Sequence, residues 1–288
     1  MKCLVCNNDS FSEYLKCDDY FLSGEHFKIL QCDNCSFKFT DPKPDKKVIS
    51  SYYKSDEYIS HTNSKKGILN NIYQIIRRYN VKKKYCLVNK FSSGKSILDI
   101  GCGTGDLLKF FKNNNWNAFG IEPDVDARKI AKQKGIDVYT EEGISNFSEN
   151  QFEVITLWHV LEHVYDVQKR IDEISHILCK NGILIVALPN YRSYDAKYYG
   201  KYWAAWDVPR HLYHFDRETV SMLFKKNNFN LLSIKPMKFD SYYVSMLSEK
   251  YKSGKQNLFK AFYHGLKSNV RAFGNKEYSS LIYVFRKQ

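Results

Sequence analysis

From Ser96 onward, short apolar runs alternate with stretches whose apolar residues recur at helical spacing, the alternation that a parallel sheet with crossover helices demands. The runs predict strands near 96–100, 118–122, 136–140, 152–158 and 182–188, and the spacing between them predicts helices near 104–114, 124–134, 160–163 and 167–179. A helix near 217–227, a sixth strand at 231–235 and a seventh at 280–286 complete the pattern, leaving 238–278 as an insertion between the last two strands. The expected fold class is α/β, a seven-stranded doubly wound sheet within residues 95–288. Upstream, 46–94 reads as helical: Ile68, Leu69, Ile72, Tyr73, Ile75, Ile76 and Tyr79 form an apolar stripe among Lys65, Lys66, Arg77, Arg78, Lys82, Lys83, Lys84 and Lys90. That pattern suits a basic linker or cap packed on the following domain. Residues 1–45 are polar and cysteine-paired, and Asp41-Pro42-Lys43-Pro44 excludes helix and marks an exit from a small unit.

The sharpest local pattern is Ile97-Leu98-Asp99-Ile100-Gly101-Cys102-Gly103-Thr104-Gly105-Asp106-Leu107-Leu108, an apolar strand running through three alternating glycines into a helix. Glycines let the backbone turn tightly and approach a ligand, while free N–H groups at the helix start face it. A nicotinamide-binding loop would place its third glycine one residue later. A second acid, Glu122 in Phe119-Gly120-Ile121-Glu122-Pro123-Asp124, ends the next strand 23 residues after Asp99, where a carboxylate can accept both ribose hydroxyls of a nucleoside.

From about Ser96 to Phe215 the sequence resembles the class I S-adenosylmethionine-dependent methyltransferases. Asp99 to Gly105 and Glu122 carry the resemblance, Phe152 to Val164 looks like that family's fourth strand and following helix, and Asn181 to Asn190 is similar to its fifth strand. Glu153 stands where the family more often has Asp, and Lys180-Asn181-Gly182 replaces the usual Pro-Gly-Gly. The resemblance implies a Rossmann-like methyltransferase sheet holding the cofactor against Asp99, Gly101, Cys102, Gly103, Gly105, Glu122, Pro123, Trp158 and His159. Cys102 itself reads as a small packing residue.

Two histidine groups fall beyond strand ends, where α/β folds keep their sites: His159, Glu162 and His163 as HxxEH, and His211 and His214 in Trp206-Asp207-Val208-Pro209-Arg210-His211-Leu212-Tyr213-His214-Phe215. Three readings stand. One of the four histidines is a general base, His163 first and then His214. Alternatively, HxxEH with a later His binds a divalent metal, as the similar ExxEH of ubiquinone-biosynthesis O-methyltransferases and small-RNA 2′-O-methyltransferases suggests. With imidazole replacing the first carboxylate, such a site would prefer Zn²⁺ or Fe²⁺ over Mg²⁺. In the third reading Glu162 and His163 only brace the loop.

Cys3-Leu4-Val5-Cys6 and Cys32-Asp33-Asn34-Cys35 are two CxxC knuckles separated by 25 residues. Thiolates at that spacing can close a tetrahedral structural Zn²⁺ site in a head too small to build its own core, and metal removal is expected to leave the cofactor domain folded. With this head, Phe39-Thr40-Asp41-Pro42-Lys43-Pro44 and Tyr58-Ile59-Ser60-His61, the chain resembles a bacterial methyltransferase group with an N-terminal zinc ribbon, similar to sugar C-methyltransferases. That resemblance implies methylation of a small-molecule, nucleotide-sugar or glycan-precursor acceptor. Tyr52, Tyr53 and Tyr58 would form pocket walls, and Arg192, Lys197, Lys201 and Arg210 would meet phosphates.

Charge changes the picture only at the ends. The net formal charge is +13; residues 96–190 carry 9 basic against 14 acidic side chains, whereas 191–288 carry 18 against 7. Basic flanks and a zinc ribbon would also suit an RNA-modifying methyltransferase, but no arginine-rich cluster appears and a lysine-rich solvated surface explains the excess. A non-catalytic cofactor-binding scaffold fits the crowded histidines less well. No apolar run reaches the roughly 18 residues of a transmembrane span and no signal-type stretch opens the chain, so a cytoplasmic protein is expected.

Overall fold

The computed structural model describes residues 2–53 and 68–288, with side chains of its first helix described from Arg77 onward. Tyr58-Ile59-Ser60-His61, Lys65, Lys66 and the stripe from Ile68 to Ile76 lie outside the described side chains.

The head consists of β1 (Phe11–Asp18), β2 (His26–Cys32) and β3 (Lys38–Asp41), paired antiparallel in chain order. After a short 3₁₀ turn, Ile49–Tyr53, the first helix α1 spans Ile68–Phe91. There follow β4 (Ser96–Ile100), α2 (Asp106–Lys112), β5 (Asn117–Ile121), α3 (Val125–Gln133), β6 (Asp137–Tyr139), β7 (Phe152–Trp158), α4 (Val167–Ile177), β8 (Leu178–Pro189) and α5 (Tyr194–Tyr199). The chain ends with β9 (Tyr213–His214), α6 (Arg217–Lys226), β10 (Phe229–Pro236), α7 (Asp240–Ser253), α8 (Leu258–Asn275) and β11 (Ser280–Lys287).

The large sheet has the order β10-β11-β8-β7-β4-β5-β6. The last strand, β11, runs antiparallel between β8 and β10, and the other neighbours pair in parallel. Seven strands were expected and seven pair. Side chains alternate between two cores: Leu98, Ile155, Leu157, Leu184 and Val186 face α4, α6 and the head, while Ile97, Val154, Ile183 and Ile185 face α1 and α2. Burial on both faces is why these strands read as continuous apolar runs. Val88 is buried in the second core with Val81, Tyr85, Leu87 and Phe91 packed beside it, so the later part of α1 covers the sheet.

Local boundaries moved where helix and strand signals abut. The stretch 160–163 is a single 3₁₀ turn, Leu161–His163, and β8 starts directly where α4 ends, at Leu178. The insertion at 238–278 folds as the helical pair α7 and α8, in which Gly265 lets the backbones meet: a Cβ there would lie 2.9 Å from Tyr242 Cα. The two-residue β9 pairs with β3, aligning Lys38 with His214 and Phe39 with Tyr213, so the head is stitched to the loop after β8.

Candidate functional site

The glycine loop leaves β4 at the carboxyl edge of the sheet. Gly101, Gly103 and Gly105 have φ of 74°, 52° and 74°, in the left-handed region that side chains resist. The N–H groups of Gly101 and Cys102 donate to the Ile121 carbonyl at 2.7 and 3.0 Å, fixing the loop against β5. The Glu122 carboxylate accepts the Gly103 N–H at 2.7 Å and the Asp124 N–H at 2.9 Å, so the acid sits against the middle glycine. A Cβ on Gly103 would meet nothing within 4 Å, which marks open space beside the loop.

Asp99 is buried and accepts the Thr156 hydroxyl at 2.6 Å. Burial raises its pKa to about 6, although Thr156 and Lys84 favour the carboxylate. Burial also holds the Lys84 ammonium below the usual lysine range, and its Nζ lies 4.1 Å above the Trp158 ring. The Trp158 indole N–H is buried without a protein partner among the described residues. Cys102 packs its thiol in the core under Gly120, and Pro123 is exposed. Left-handed glycines, open space, the Glu122 acid and an unsatisfied indole donor together fit a nucleoside-bearing ligand.

Four of the five candidate polar residues come together beyond β7. His159, itself left-handed at φ 58°, is held between carboxylates: Glu162 at 3.3 Å from Nδ1 and Asp240 at 3.0 Å from Nε2. Burial opposes its charge, but these two acids raise its pKa to about 10 and make it an imidazolium at neutral pH. Glu162 stays ionised despite burial because His159 pairs with it. The rings of His163 and His211 meet edge to face at 4.6 Å. His163 donates Nδ1–H to the Arg210 carbonyl at 3.0 Å, and His211 donates Nδ1–H to the Ala205 carbonyl at 2.9 Å, which leaves the Nε2 of each ring clear of these carbonyls. Burial and His211 lower the His163 pKa to about 4. Glu162, His163 and His211 bring ligand-capable atoms within 4.8 Å of one another, and Glu162 Oε2 is buried without a partner among the described residues. His159 therefore parts from the HxxEH set towards Asp240.

His214 lies elsewhere, in β9. The Thr40 hydroxyl spends its proton on the His211 carbonyl at 2.6 Å, so His214 Nε2–H donates to Thr40 Oγ1 at 3.0 Å. Its ring packs on Trp206, and burial pushes its pKa well below the usual imidazole range.

Of the cations expected to meet phosphates, Arg210 is buried and already engaged, bonding Asp207, Asp19 and the Tyr52 carbonyl. Arg192 pairs with Asp216 and Glu218, and with Lys197 and Arg271 it lines a cavity of about 270 Å³. Lys201 lies over the Tyr202 ring. Of the expected wall tyrosines, Tyr53 has its hydroxyl 3.0 Å from His163 Nδ1, Tyr52 bonds Glu25, and Tyr58 lies outside the described residues. Sequence reasoning missed Asp240, Thr156, Lys84 and Asp19. Thr156 alone left a signal, as a polar residue at a core-facing strand position.

In the head, Cys3 Sγ lies 3.5 Å from Cys35 Sγ and Cys6 Sγ lies 3.5 Å from Cys32 Sγ, all as free thiols. Four sulfurs on a tetrahedral Zn²⁺ stand about 3.8 Å apart, given Zn–S bonds of about 2.3 Å, so the donor set fits that ion.

Strand order, glycine loop and strand-end acid define the class: a class I S-adenosylmethionine-dependent methyltransferase. Residues 73–234, more than half of the chain, match the methyltransferase domain family, and the chain belongs to it. The ubiquinone biosynthesis O-methyltransferase of Actinobacillus pleuropneumoniae serotype 7 (strain AP76) is 28% identical over 174 residues, covering 55% of this chain and 73% of that protein. A ubiquinone/menaquinone biosynthesis C-methyltransferase of Campylobacter jejuni subsp. jejuni (strain 81-176) is 30% identical over 100 residues, 31% of this chain and 43% of its own. Among solved structures, a SAM-dependent methyltransferase from Archaeoglobus fulgidus aligns with a TM-score of 0.51 at 15% identity, covering 73% of this chain and 94% of that one. Geranyl diphosphate C-methyltransferase from Streptomyces coelicolor A3(2) aligns at 0.51 and 12% identity, covering 72% and 78%. At such identities these likenesses speak for the fold alone.

Proposed function

We propose that the chain methylates a hydroxyl oxygen or an acidic carbon of a small molecule, with a sugar or glycan precursor as the acceptor class. The observation that carries this is the Glu162–His163–His211 cluster placed next to the glycine loop, where Val160 abuts Gly101. Asp99, the loop from Gly101 to Gly105, Glu122 and Trp158 would hold S-adenosylmethionine, whose sulfonium supplies an electrophilic methyl group. The free lone pairs of Glu122 suit ribose hydroxyls, and the Trp158 N–H offers a further donor. His163 Nε2 would take the acceptor's proton, with Nδ1–H on the Arg210 carbonyl fixing the tautomer. His159 and Asp240 would brace Glu162, and Cys3, Cys6, Cys32 and Cys35 would hold a structural Zn²⁺.

A second reading has its own support. Two histidines anchored by Nδ1–H on carbonyls and one orphaned carboxylate oxygen form a donor set for a divalent cation. The test is transfer of labelled methyl groups into a metabolite extract. The base reading expects His163→Asn to lower turnover by about 10²–10⁴ without changing cofactor affinity, and chelators to have no effect. Turnover lost on chelation and restored by Mn²⁺, Fe²⁺ or Zn²⁺ establishes the cation instead. Turnover within a few-fold after alanine replacement of His159, His163, His211 and His214 in turn would leave both readings without support.

A further inference from the structure

Helix α8 is turned inside out. On a helix at the rim of a fold, apolar side chains ordinarily face the core and polar ones face water. Here the inward face is Ala261, His264, Gly265, Ser268 and Ala272, whereas Phe259, Phe262, Tyr263, Leu266, Val270 and Phe273 form a continuous stripe on the outside. Phe259 is 92% exposed and Phe273 75% exposed. The small inward residues are what allow close packing on α7, with Gly265 against Tyr242, so the outward stripe is fixed by the fold rather than left over from it.

Charge says what covers the stripe. Between Glu249 and Glu277 the chain has no acidic residue but carries Lys250, Lys252, Lys255, Lys260, Lys267, Arg271 and Lys276. Lys260, Lys267 and Arg271 recur at spacings of seven and four along one edge of the stripe. A second copy docking through the same face would set these cations against their own counterparts with no acid from either helix to neutralise them. An anionic lipid surface satisfies both features, taking aromatic and aliphatic side chains into the boundary of its acyl region while its headgroups meet the cations. No helix of the described residues is long and apolar enough to cross a membrane, which fits a helix lying in the interface.

We propose that α8 is a membrane-surface anchor that docks the protein reversibly on anionic lipid. Its partner helix α7 opens at Asp240, whose carboxylate holds His159 in the site, so docking would set the methyl-transfer centre beside the lipid surface.

The experiment is cosedimentation of the full chain with vesicles of phosphatidylcholine and phosphatidylglycerol, against vesicles of phosphatidylcholine alone. Wild type should partition at least about ten-fold more strongly onto the anionic vesicles, and added salt should weaken it. The variant Phe259→Ser/Phe262→Ser/Phe273→Ser and the variant Lys260→Glu/Lys267→Glu should each lose that binding by about ten-fold or more. The three phenylalanines and Lys260 are exposed and Lys267 is half-buried over the Tyr194 and Tyr263 rings, so unchanged circular dichroism and cofactor calorimetry should show that the fold persists. Wild-type protein that stays off anionic vesicles, or binding that the serine variant retains, overturns the proposal. So does a concentration-dependent dimer that the serine variant dissolves in the absence of vesicle binding.

Discussion

His159 and His163 lie four residues apart and are held in opposite charge states. His159 has Asp240 and Glu162 on its two nitrogens and stays charged up to about pH 10, while burial and the neighbouring His211 keep His163 neutral down to about pH 4. A base must be neutral, so of these two only His163 can accept a proton at pH 7. The His159 ion pair also carries a definite pH signature. Its folded pKa lies above the 6.5 of an ordinary imidazole, so its contribution to stability is complete below that pH and is lost as pH rises towards 10. Asp240→Asn removes one of the two acids. The gap in urea midpoint between wild type and Asp240→Asn should therefore be constant below pH 6.5 and shrink between 6.5 and 10. A gap of equal size at pH 6 and pH 10 would show that His159 is not the charged partner. None of this was legible in the sequence, because Asp240 lies 81 residues away at the mouth of an insertion.

Among the elements, the glycine loop was the most readable, since strand, turn and helix each announce themselves within a dozen residues. What the sequence left open is that its glycines are unlike one another. A Cβ on Gly101 would sit 2.4 Å from Val160 Cγ2, whereas one on Gly103 would meet only open space. Both substitutions cost about 1–2 kcal/mol for the left-handed backbone, and Gly101→Ala must also displace the Val160 side chain at the turn that carries Glu162 and His163. Gly103→Val should therefore lose cofactor affinity in calorimetry with a modest fall in melting temperature, while Gly101→Ala loses both affinity and substantially more stability. Equal melting temperatures for the two variants would contradict this division. Elsewhere the element signals failed for physical reasons. The HxxEH stretch cannot present a helical face because only one 3₁₀ turn forms there. The two-residue β9 is too short for any period to reveal. The insertion's helices were read only as a gap in the strand pattern, and the outward stripe of α8 reverses the rule by which such patterns are interpreted.

At the scale of the whole molecule, the cysteine head is part of the same core as the methyltransferase sheet. Cys3, Val5, Cys32 and Phe37 share one buried cluster with Phe215, Val220, Leu223 and Phe224. Backbone and side chain join them as well: the Thr40 N–H donates to the Leu212 carbonyl at 3.0 Å, and the Tyr191 hydroxyl lies between the Asp216 carboxylate at 2.8 Å and the Ser36 carbonyl at 3.0 Å. Buried Arg210 bridges Asp19 of the head and Asp207 of the loop before His211. Asp19 in turn accepts N–H groups from Phe21, Leu22 and Ser23, which fixes the turn between β1 and β2. A head so placed cannot be loosened without disturbing the segment that carries these groups, because Asp19 pairs with Arg210, whose carbonyl orients His163, and Thr40 bonds the backbone carbonyl of His211. The sequence expectation that losing zinc spares the cofactor domain therefore changes. Structural zinc in small domains contributes on the order of 10 kcal/mol to folding, and an ion held by these four cysteines would couple that energy to the shared cluster. The variant Cys32→Ser/Cys35→Ser, or wild type stripped by a chelator, should melt in one calorimetric transition several degrees lower, with zinc content and methyl transfer falling together. Two separate transitions, the upper one at the wild-type temperature, would show instead that the head unfolds alone and that the shared cluster carries little coupling.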